Sequence, residues 1–533
     1  MEKIEFLDST LRDGAQMAGV SFSIQDKLKI IDLLDEFGID IIEAGNPYSN
    51  PKDQELFRLL KDKKFKRSAV SVFGSTRKAG VKTSDDCMLA EIAGLPAEYS
   101  SIVGKCWDFH VLEVLRTTLE ENLRMVYETV EYLTAMGKKV IFDAEHYFNS
   151  RRANPDYAKR VLESAVKAGA CCLALCDTNG TFLPDEIYEI VKETVDLFGI
   201  PVGIHSHNDT GMAVAGSVMA VKAGAVHVQG TINGYGERCG NADLCTVIPN
   251  ICFKLGNSCM CSESMGKLTY ISKAVAETAN MPVSPNAPYV GKNAFTHKAG
   301  MHSDAIAKAT GTYEHIEPEV VGNHRKVLLS EVAGKSAVLG LINLIDSSIG
   351  KDSEETAHIL RILKERELEG YQYEGAEGSF ELLIRKTLGK YRSFFDLLHF
   401  KVIDEDKIDF KIMEPHDFSF GTSTAIVKIM VDGRTEITAA EGDGPVNAMD
   451  VAIRKALGKF YPSLNQMKLT DYKVRVLDSS AAAASKVRVL IESSDMSKNW
   501  ATIGVSTNII EASRQALVDS IEYKLLLDYE RPS

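Results

Sequence analysis

Cysteine is sparse in this chain, ten residues in 533, and no two of them form a Cys-x-x-Cys pair. That excludes a disulfide-built scaffold and leaves no thioredoxin-like or paired-knuckle zinc motif. No run approaches the ~18 consecutive apolar residues that a membrane-crossing helix requires. The opening residues, MEKIEFLDSTLRDG, are charged from the start and contain no apolar signal region, so a cytoplasmic protein with reduced thiols is expected. Positive charge is in deficit: Lys plus Arg total 61 against 74 for Asp plus Glu, a net charge of −13, with no long basic block. Such a chain is a poor binder of phosphate backbones, and neither a nucleic-acid nor a membrane partner is expected. What remains is an ordinary globular composition, 45% apolar and 25% charged, in a chain long enough for several domains.

Through the first 255 residues, short β-branched runs alternate with amphipathic helical segments. Strands are expected near 4–7, 39–43, 68–73, 101–103, 139–142, 172–176, 202–205 and 226–230, and helices over 23–37, 113–136, 155–168, 184–198 and 211–223. Gly38, Gly137, Gly169 and Gly224 stand where those helices stop, the position at which glycine adopts positive φ without penalty. Strict β/α alternation implies a parallel sheet, and eight units in this length imply an α/β fold of (β/α)8 TIM-barrel type, with an open doubly wound sheet as the alternative. The barrel is assigned to 1–270. Residues 271–400 read as helical linker subdomains, and 401–533 as an α+β domain in which strand patterns return at 425–431, 435–440, 473–477, 486–491 and 501–505. The string KVRVL occurs at 473 and again at 486. A loop–helix unit recurs as GDGPVNAMDVAIRKAL from Gly442 and VSTNIIEASRQALVDSI from Val505, which suggests a pseudo-symmetric module.

A barrel of this kind carries its chemistry at the C-terminal ends of its strands. Polar residues gather at those positions: Asp8, Arg12, Asp13 and Gln16 after the first strand, Glu43 after the second, and Asp143, Glu145 and His146 after the fifth. Asp177 and Thr178 follow the sixth, His205, His207, Asn208 and Asp209 the seventh, and Asn241 the eighth. Alternate strand residues share a face, so His205 and His207 point into one space. In a closed barrel the first, seventh and eighth strands are neighbours, and Asp13, His205, His207 and Asn241 can converge on a divalent cation. An isolated His-x-His pair is more often an ordinary surface pair, but here acids stand at the neighbouring strand ends. One carboxylate against two charges leaves a cation that still attracts an anionic substrate. Among Mn2+, Mg2+, Co2+ and Zn2+ the sequence makes no choice. Glu43 reads equally as a partner that orients Arg12, His227 as a core histidine, His110 and His146 as border residues, and Asp143 as facing a substrate side chain. Gly334-Lys335-Ser336 lacks the first glycine of a phosphate loop, Leu329 standing in its place, and Gly234, Gly236 and Gly240 have the wrong spacing for a dinucleotide fingerprint. Cys259-x-Cys261 and Cys171-Cys172 have no zinc-ligand partners and read as inert thiols, and no Gly-x-Ser-x-Gly elbow occurs.

The stretches LDSTLRDGAQ, HSHND and GERCGNA together resemble the 2-isopropylmalate/homocitrate synthase family, acyl-CoA–keto acid condensing enzymes of the DRE-TIM metallolyase superfamily. FDAEHYF at 142, LCDTNGT at 175, GTINGYGERCGNA at 230, PYVGKNAFTHKAGMH at 288 and TYEHIEPEVVGN at 312 are most similar to its long-form, pyruvate-using branch, and GDGPVNA and NIIEAS to its allosteric domain. The resemblance implies condensation of acetyl-CoA with pyruvate, or with 2-oxoisovalerate or 2-oxoglutarate in sibling enzymes. A 3-hydroxyacyl-CoA lyase and a non-catalytic amino-acid sensor are the competing readings. It implies a metal held by Asp13, His205, His207 and Asn241, with Gln16, Glu43 and Asp143 on the substrate side. Arg12 is implied against the keto oxygen, Thr178 at the substrate carboxylate, Glu145 beside the acetyl group, and His302 and Tyr313 in proton transfer and thioester hydrolysis. These enzymes form homodimers, and His302 is implied to act within its own chain or across the dimer. Feedback inhibition by isoleucine is implied at Asp443, Gly444 and Pro445, where a proline-started helix offers free backbone N–H groups to a carboxylate.

Overall fold

The computed structural model describes residues 3–297, 305–306, 309–327, 339, 342–343, 345–350, 352–373, 375–405, 422–477, 485–495 and 498–530. It divides into two compact units, one of Met1–Thr296 with Glu314–Lys326 and one of His297–Tyr313 with Val327–Ser533. The first is a closed, eight-stranded parallel barrel of β1 (Glu5–Asp8), β2 (Ile41–Glu43), β3 (Ala69–Ser75), β4 (Tyr99–Lys105), β5 (Lys139–Glu145), β6 (Cys172–Asp177), β7 (Val202–Ser206) and β8 (His227–Gly230). Every expected strand is present in its expected order. β8 closes on β1 with Glu5 opposite His227, Leu7 opposite Gln229 and Asp8 opposite Gly230.

Local chemistry sets the boundaries that aim the strand ends. Helix Ile24–Phe37 begins at a reciprocal cap between Ser23 and Asp26 and ends at Gly38, whose φ of 94° turns the chain into β2. The single helix expected over 113–136 is instead two elements. A π-turn, His110–Val114, is followed by Arg116 at φ 52°, and the α-helix proper, Leu119–Ala135, starts where Thr118 Oγ1 accepts from Glu121 N–H. A left-handed residue and a new cap break the helix although the apolar spacing runs on.

The barrel buries its side chains in two layers. Leu7, Ile41, Ile141, Cys172 and Ala174 form a small separate apolar cluster on the inward face of their strands. The larger core, including Phe6, Phe142, Phe148, Val228 and Leu244, lies between the strands and the surrounding helices. Above the inner cluster the rows of Ile41 and Ile141 continue as Glu43 and Asp143, so the apolar plug forms a floor beneath a polar mouth.

The second unit contains helices Glu354–Glu369 and Glu377–Thr387, then two copies of a three-stranded antiparallel sheet followed by a helix. Strands Asp396–Glu405, Thr422–Val431 and Arg434–Gly442 precede helix Pro445–Leu457. Strands Lys468–Val476, Val487–Ser494 and Asn499–Ser506 precede helix Ile509–Glu530. The recurring loop–helix units are thus the ends of two equivalent modules. The two KVRVL strings are not: Val474 pairs with Val489 and Val476 with Val487, so they are neighbouring strands of one sheet. Strand Asp396–Glu405 begins inside the stretch read as helical, because its run LLHF has no clear period of two. Among the described residues no helix is long and apolar enough to cross a membrane.

Gly104, next to the end of β4, faces the ring of Phe142, and an added Cβ would stand 2.5 Å from the ring's Cε2. Gly104→Ala is therefore expected to destabilise the barrel by about 1–3 kcal/mol, the usual cost of overpacking, read as a lower urea midpoint. An unchanged midpoint would mean that the ring has room to move.

Candidate active site and metal centre

The turn after β1 is built by its own side chains. Asp8 accepts from Thr10 N–H at 3.0 Å and from Thr10 Oγ1 at 2.8 Å, while Thr10 Oγ1 accepts from Ile232 N–H at 2.9 Å. Ser9 Oγ donates to Glu43 and accepts from Asp13 N–H at 3.2 Å. These bonds fix Arg12 and Asp13 over the barrel mouth. Arg12 Nε donates to Glu43 Oε2 at 2.6 Å, its Nη1 donates to Asp13 Oδ2 at 3.1 Å, and its guanidinium lies 3.9 Å from the centroid of the Phe73 ring. Glu43 is thus an orienter of Arg12. Burial would raise the Asp13 carboxyl, but the adjacent Arg12 guanidinium, the two imidazoles and Asn241 together outweigh it and hold the group at about 2.

Asp13, His205 and His207 come together as the one metal-ligating cluster found among the described residues. Asp13 Oδ2 is 3.7 Å from His205 Nε2 and 3.8 Å from His207 Nε2. A backbone bridge sets Asn241 beside His207, and Asn241 Nδ2 donates to Tyr235 O at 3.0 Å, leaving its carbonyl oxygen free. Asp13 Oδ1 and Asn241 Oδ1 are both buried acceptors without a donor among the described residues. Burial lowers the pKa of His205, and burial together with His205 lowers that of His207 to about 4, so both imidazoles are neutral as metal ligands must be.

The residues behind the two imidazoles differ. His205 Nδ1 is 3.0 Å from Gln229 Oε1, so it carries the proton and leaves Nε2 open towards Asp13. Gln229 Nε2 in turn donates to Asp143 Oδ1 at 2.8 Å. His207 Nδ1 instead accepts from Arg238 Nη2 at 3.0 Å. An imidazole that ligates through Nε2 holds its proton on Nδ1, so that contact would have to open for His207 to ligate a cation. Arg238, 42% exposed and anchored on Asp209 at 2.7 Å, has room to give way. With that adjustment Asp13, His205 and His207 make a donor set suited to a divalent cation, and the unpartnered Asn241 Oδ1 is the candidate fourth donor.

Around this cluster the structure places most of the other candidates. Thr178 Oγ1 accepts from His146 N–H at 2.8 Å, which leaves its own proton free to donate. Glu145 forms an ion pair with Lys105 at the end of β4. His110 and His146 pack edge to face at 4.4 Å beside Trp107. Gln16 is exposed at the end of the short turn Gly14–Gln16. His227 is buried inside β8 with Nδ1 2.8 Å from Glu5, a satisfied core histidine. Tyr313 is exposed and belongs to the second unit, and His302 lies outside the described residues. Asp443, Gly444 and Pro445 form the start of helix Pro445–Leu457, where Asp443 N–H donates to Asn447 Oδ1 at 3.2 Å. Gln229, Arg238 and Lys105 escaped the sequence reading. Gln229 had a signal: it stands two residues after His227 on the inward face of β8, in register with His205.

The HMGL-like family model matches residues 3–271, the homocitrate synthase post-HMGL domain-like model 289–367, and the LeuA allosteric (dimerisation) domain model 374–525. The chain is 49% identical to (R)-citramalate synthase of Aquifex aeolicus, with 99% of each chain covered. It is 47% identical to that of Geobacter sulfurreducens, with 98% of each covered. The chain belongs to the (R)-citramalate synthase family. It is an acyltransferase of the class that converts the acyl group to an alkyl group on transfer. A probable 2-isopropylmalate synthase of Methanopyrus kandleri is more distant, 32% identical with 98% of each chain covered. The family's HMGL-like segment is the barrel unit's strands and helices, and its LeuA segment holds both βββα modules.

Two predictions test this site. Gln229→Leu removes the acceptor that sets the His205 tautomer, and Mn2+ affinity measured by equilibrium dialysis should fall about 10–100-fold. Unchanged affinity would show that Gln229 does not orient a ligand. Burial, aided by Glu43, raises the Asp143 carboxyl to about 7. The folded state therefore holds a proton that the unfolded chain releases near 4, and stability falls as pH rises from about 4 to 7. Asp143→Asn keeps an acceptor for Gln229 and should flatten that part of the profile of unfolding free energy against pH. An unaltered slope would assign it to other groups.

Proposed function

We propose that this protein condenses acetyl-CoA with pyruvate and water to give (R)-citramalate and CoA. The observation that carries the reading is the Asp13–His205–His207 cluster beside Arg12 in a chain 43–49% identical to (R)-citramalate synthases along nearly its whole length. A divalent cation held by Asp13, His205, His207 and Asn241 would polarise the keto carbonyl and hold the substrate carboxylate. Thr178 donates its free hydroxyl proton to that carboxylate. Arg12, immobilised by Glu43 and stacked on Phe73, presents its guanidinium where the keto oxygen gains negative charge as the new C–C bond forms. Glu145 takes the proton from the acetyl methyl group, and Lys105 fixes the position of that carboxylate. His302 and Tyr313 serve the later addition of water to the thioester, which releases CoA. Gln16 and the buried Glu43 and Asp143 complete the pyruvate side.

In the same reading, residues 1–270 perform the chemistry, 271–400 are linker subdomains, and 401–533 regulate and dimerise. The LeuA-type modules bind isoleucine, the end product whose synthesis citramalate feeds, with the Asp443–Pro445 helix start as the carboxylate subsite. The enzyme is a cytoplasmic homodimer.

The test is free-thiol release from acetyl-CoA by Mn2+-reconstituted protein, with pyruvate, 2-oxoisovalerate and 2-oxoglutarate offered separately, each with and without chelator. Release that requires pyruvate and is abolished by chelator is expected, and Arg12→Lys should lower kcat by about 10²–10³. Preference for 2-oxoisovalerate would transfer the protein to 2-isopropylmalate synthesis. No release with any acceptor would overturn the synthase reading.

A further inference from the structure

Cys259 and Cys261 have no zinc-ligand spacing, but the fold brings a third thiol to them. Cys252 lies on the π-turn Ile251–Leu255 that closes the last barrel helix. Cys259 immediately precedes the short helical segment Met260–Lys267, which contains Cys261. Cys259 Sγ is 3.3 Å from Cys252 Sγ and 3.0 Å from Cys261 Sγ, with Ser262 Oγ 3.2 Å away. Cys259 therefore touches both of the other thiols. Cys252 is partly exposed, whereas Cys259 and Cys261 are buried, so a small oxidant reaches the group from the Cys252 side. Hydrogen bonds from Cys252 and Cys261 lower the pKa of Cys259, and the same bonding raises that of Cys252.

We propose that Cys252 and Cys259 form a reversible, peroxide-responsive disulfide. The Cys259 thiolate attacks one oxygen of hydrogen peroxide, forming a sulfenic acid and releasing hydroxide, which takes up the proton that Cys259 had lost. Cys252 sulfur then displaces the sulfenic oxygen as a second water and gives up its own proton. Two thiols are thereby oxidised to one disulfide and one peroxide is reduced to two waters. Cys261, beside Cys259 but only two positions from it, is the poorer partner because the ring it would close is small and strained. The loop between Cys252 and Cys259 includes Ser258, which pairs with Lys3 and whose carbonyl accepts from Ile4 N–H at 2.9 Å, so the bond would form at the N-terminal end of β1. That is the end of the strand opposite the one leading to Asp13, and oxidation here should leave turnover intact.

The test is peptide mapping of the full-length protein, digested without reduction after treatment with hydrogen peroxide. Expected are a Cys252–Cys259 cross-linked peptide, loss of two of the ten thiols, and full recovery of both with dithiothreitol. Cys261→Ser should keep the cross-link and Cys252→Ser should lose it. The proposal is overturned if both thiols stay free, if the linkage maps to Cys259–Cys261, or if oxidation falls only on the exposed Cys87 and Cys239. Since the mapping is made on the unmodified chain, a variant that fails to fold does not decide the result.

Discussion

The ladder between β8 and β1 closes the barrel, and the site exists only because of it. It pairs Leu7 with Gln229 and Asp8 with Gly230, and the bond from Ile232 N–H to Thr10 ties the two following turns across 222 positions of sequence. Those turns carry Asp13 and Asn241, while the β7–β8 ladder sets His205 beside Gln229. Four ligand candidates from three distant parts of the chain therefore converge, only His205 and His207 being neighbours in sequence. An open sheet would have left β1 and β8 at opposite edges.

Closure also crowds charge. Asp13, Glu43 and Asp143 are all buried at the mouth, and one guanidinium, Arg12, serves the first two directly. A buried carboxylate without a partner costs several kcal/mol, so the third must find another solution. Asp143 does so by keeping its proton, its value pushed to about 7, and by accepting from Gln229. The mouth thus holds one strongly ionised carboxylate at the two imidazoles and one acid, Asp143, that keeps its proton up to about pH 7. That division comes from the position of Arg12, on the side of Asp13 and Glu43.

Much of this was legible in the sequence because it is written in short-range signals. The strands announce themselves by β-branched runs, the helix ends by glycines such as Gly38, and the His-x-His pair by alternation on one strand. What was not legible depends on partners far away or on local geometry without a periodic trace. Gln229 acts through His205 and Asp143, which only the ladder brings near it. Lys105 gains meaning only beside Glu145 on the next strand. The break at Arg116–Thr118 interrupts an unbroken apolar pattern by one left-handed residue. The repeated KVRVL string misled in the opposite direction: the identical strands are adjacent in one sheet, while the duplication of two βββα modules shows in the sequence only at their loop–helix ends.

Arg238 shows how the polar shell above the plug acts as one body. Its guanidinium touches His207 Nδ1, the carbonyl of Thr178 and the carboxylate of Asp209. Only the first of these contacts conflicts with ligation by His207 through Nε2, since Nδ1 cannot both accept from Arg238 and hold the proton that ligation leaves there. Asp209 carries charge opposite to Arg238 and is largely free of that conflict, so it remains the pivot when the contact with His207 opens. The residue that donates to the Thr178 carbonyl is therefore the same one that must move for a cation to enter. The carbonyl of Thr178 and the ring of His207 are thus linked through a single side chain.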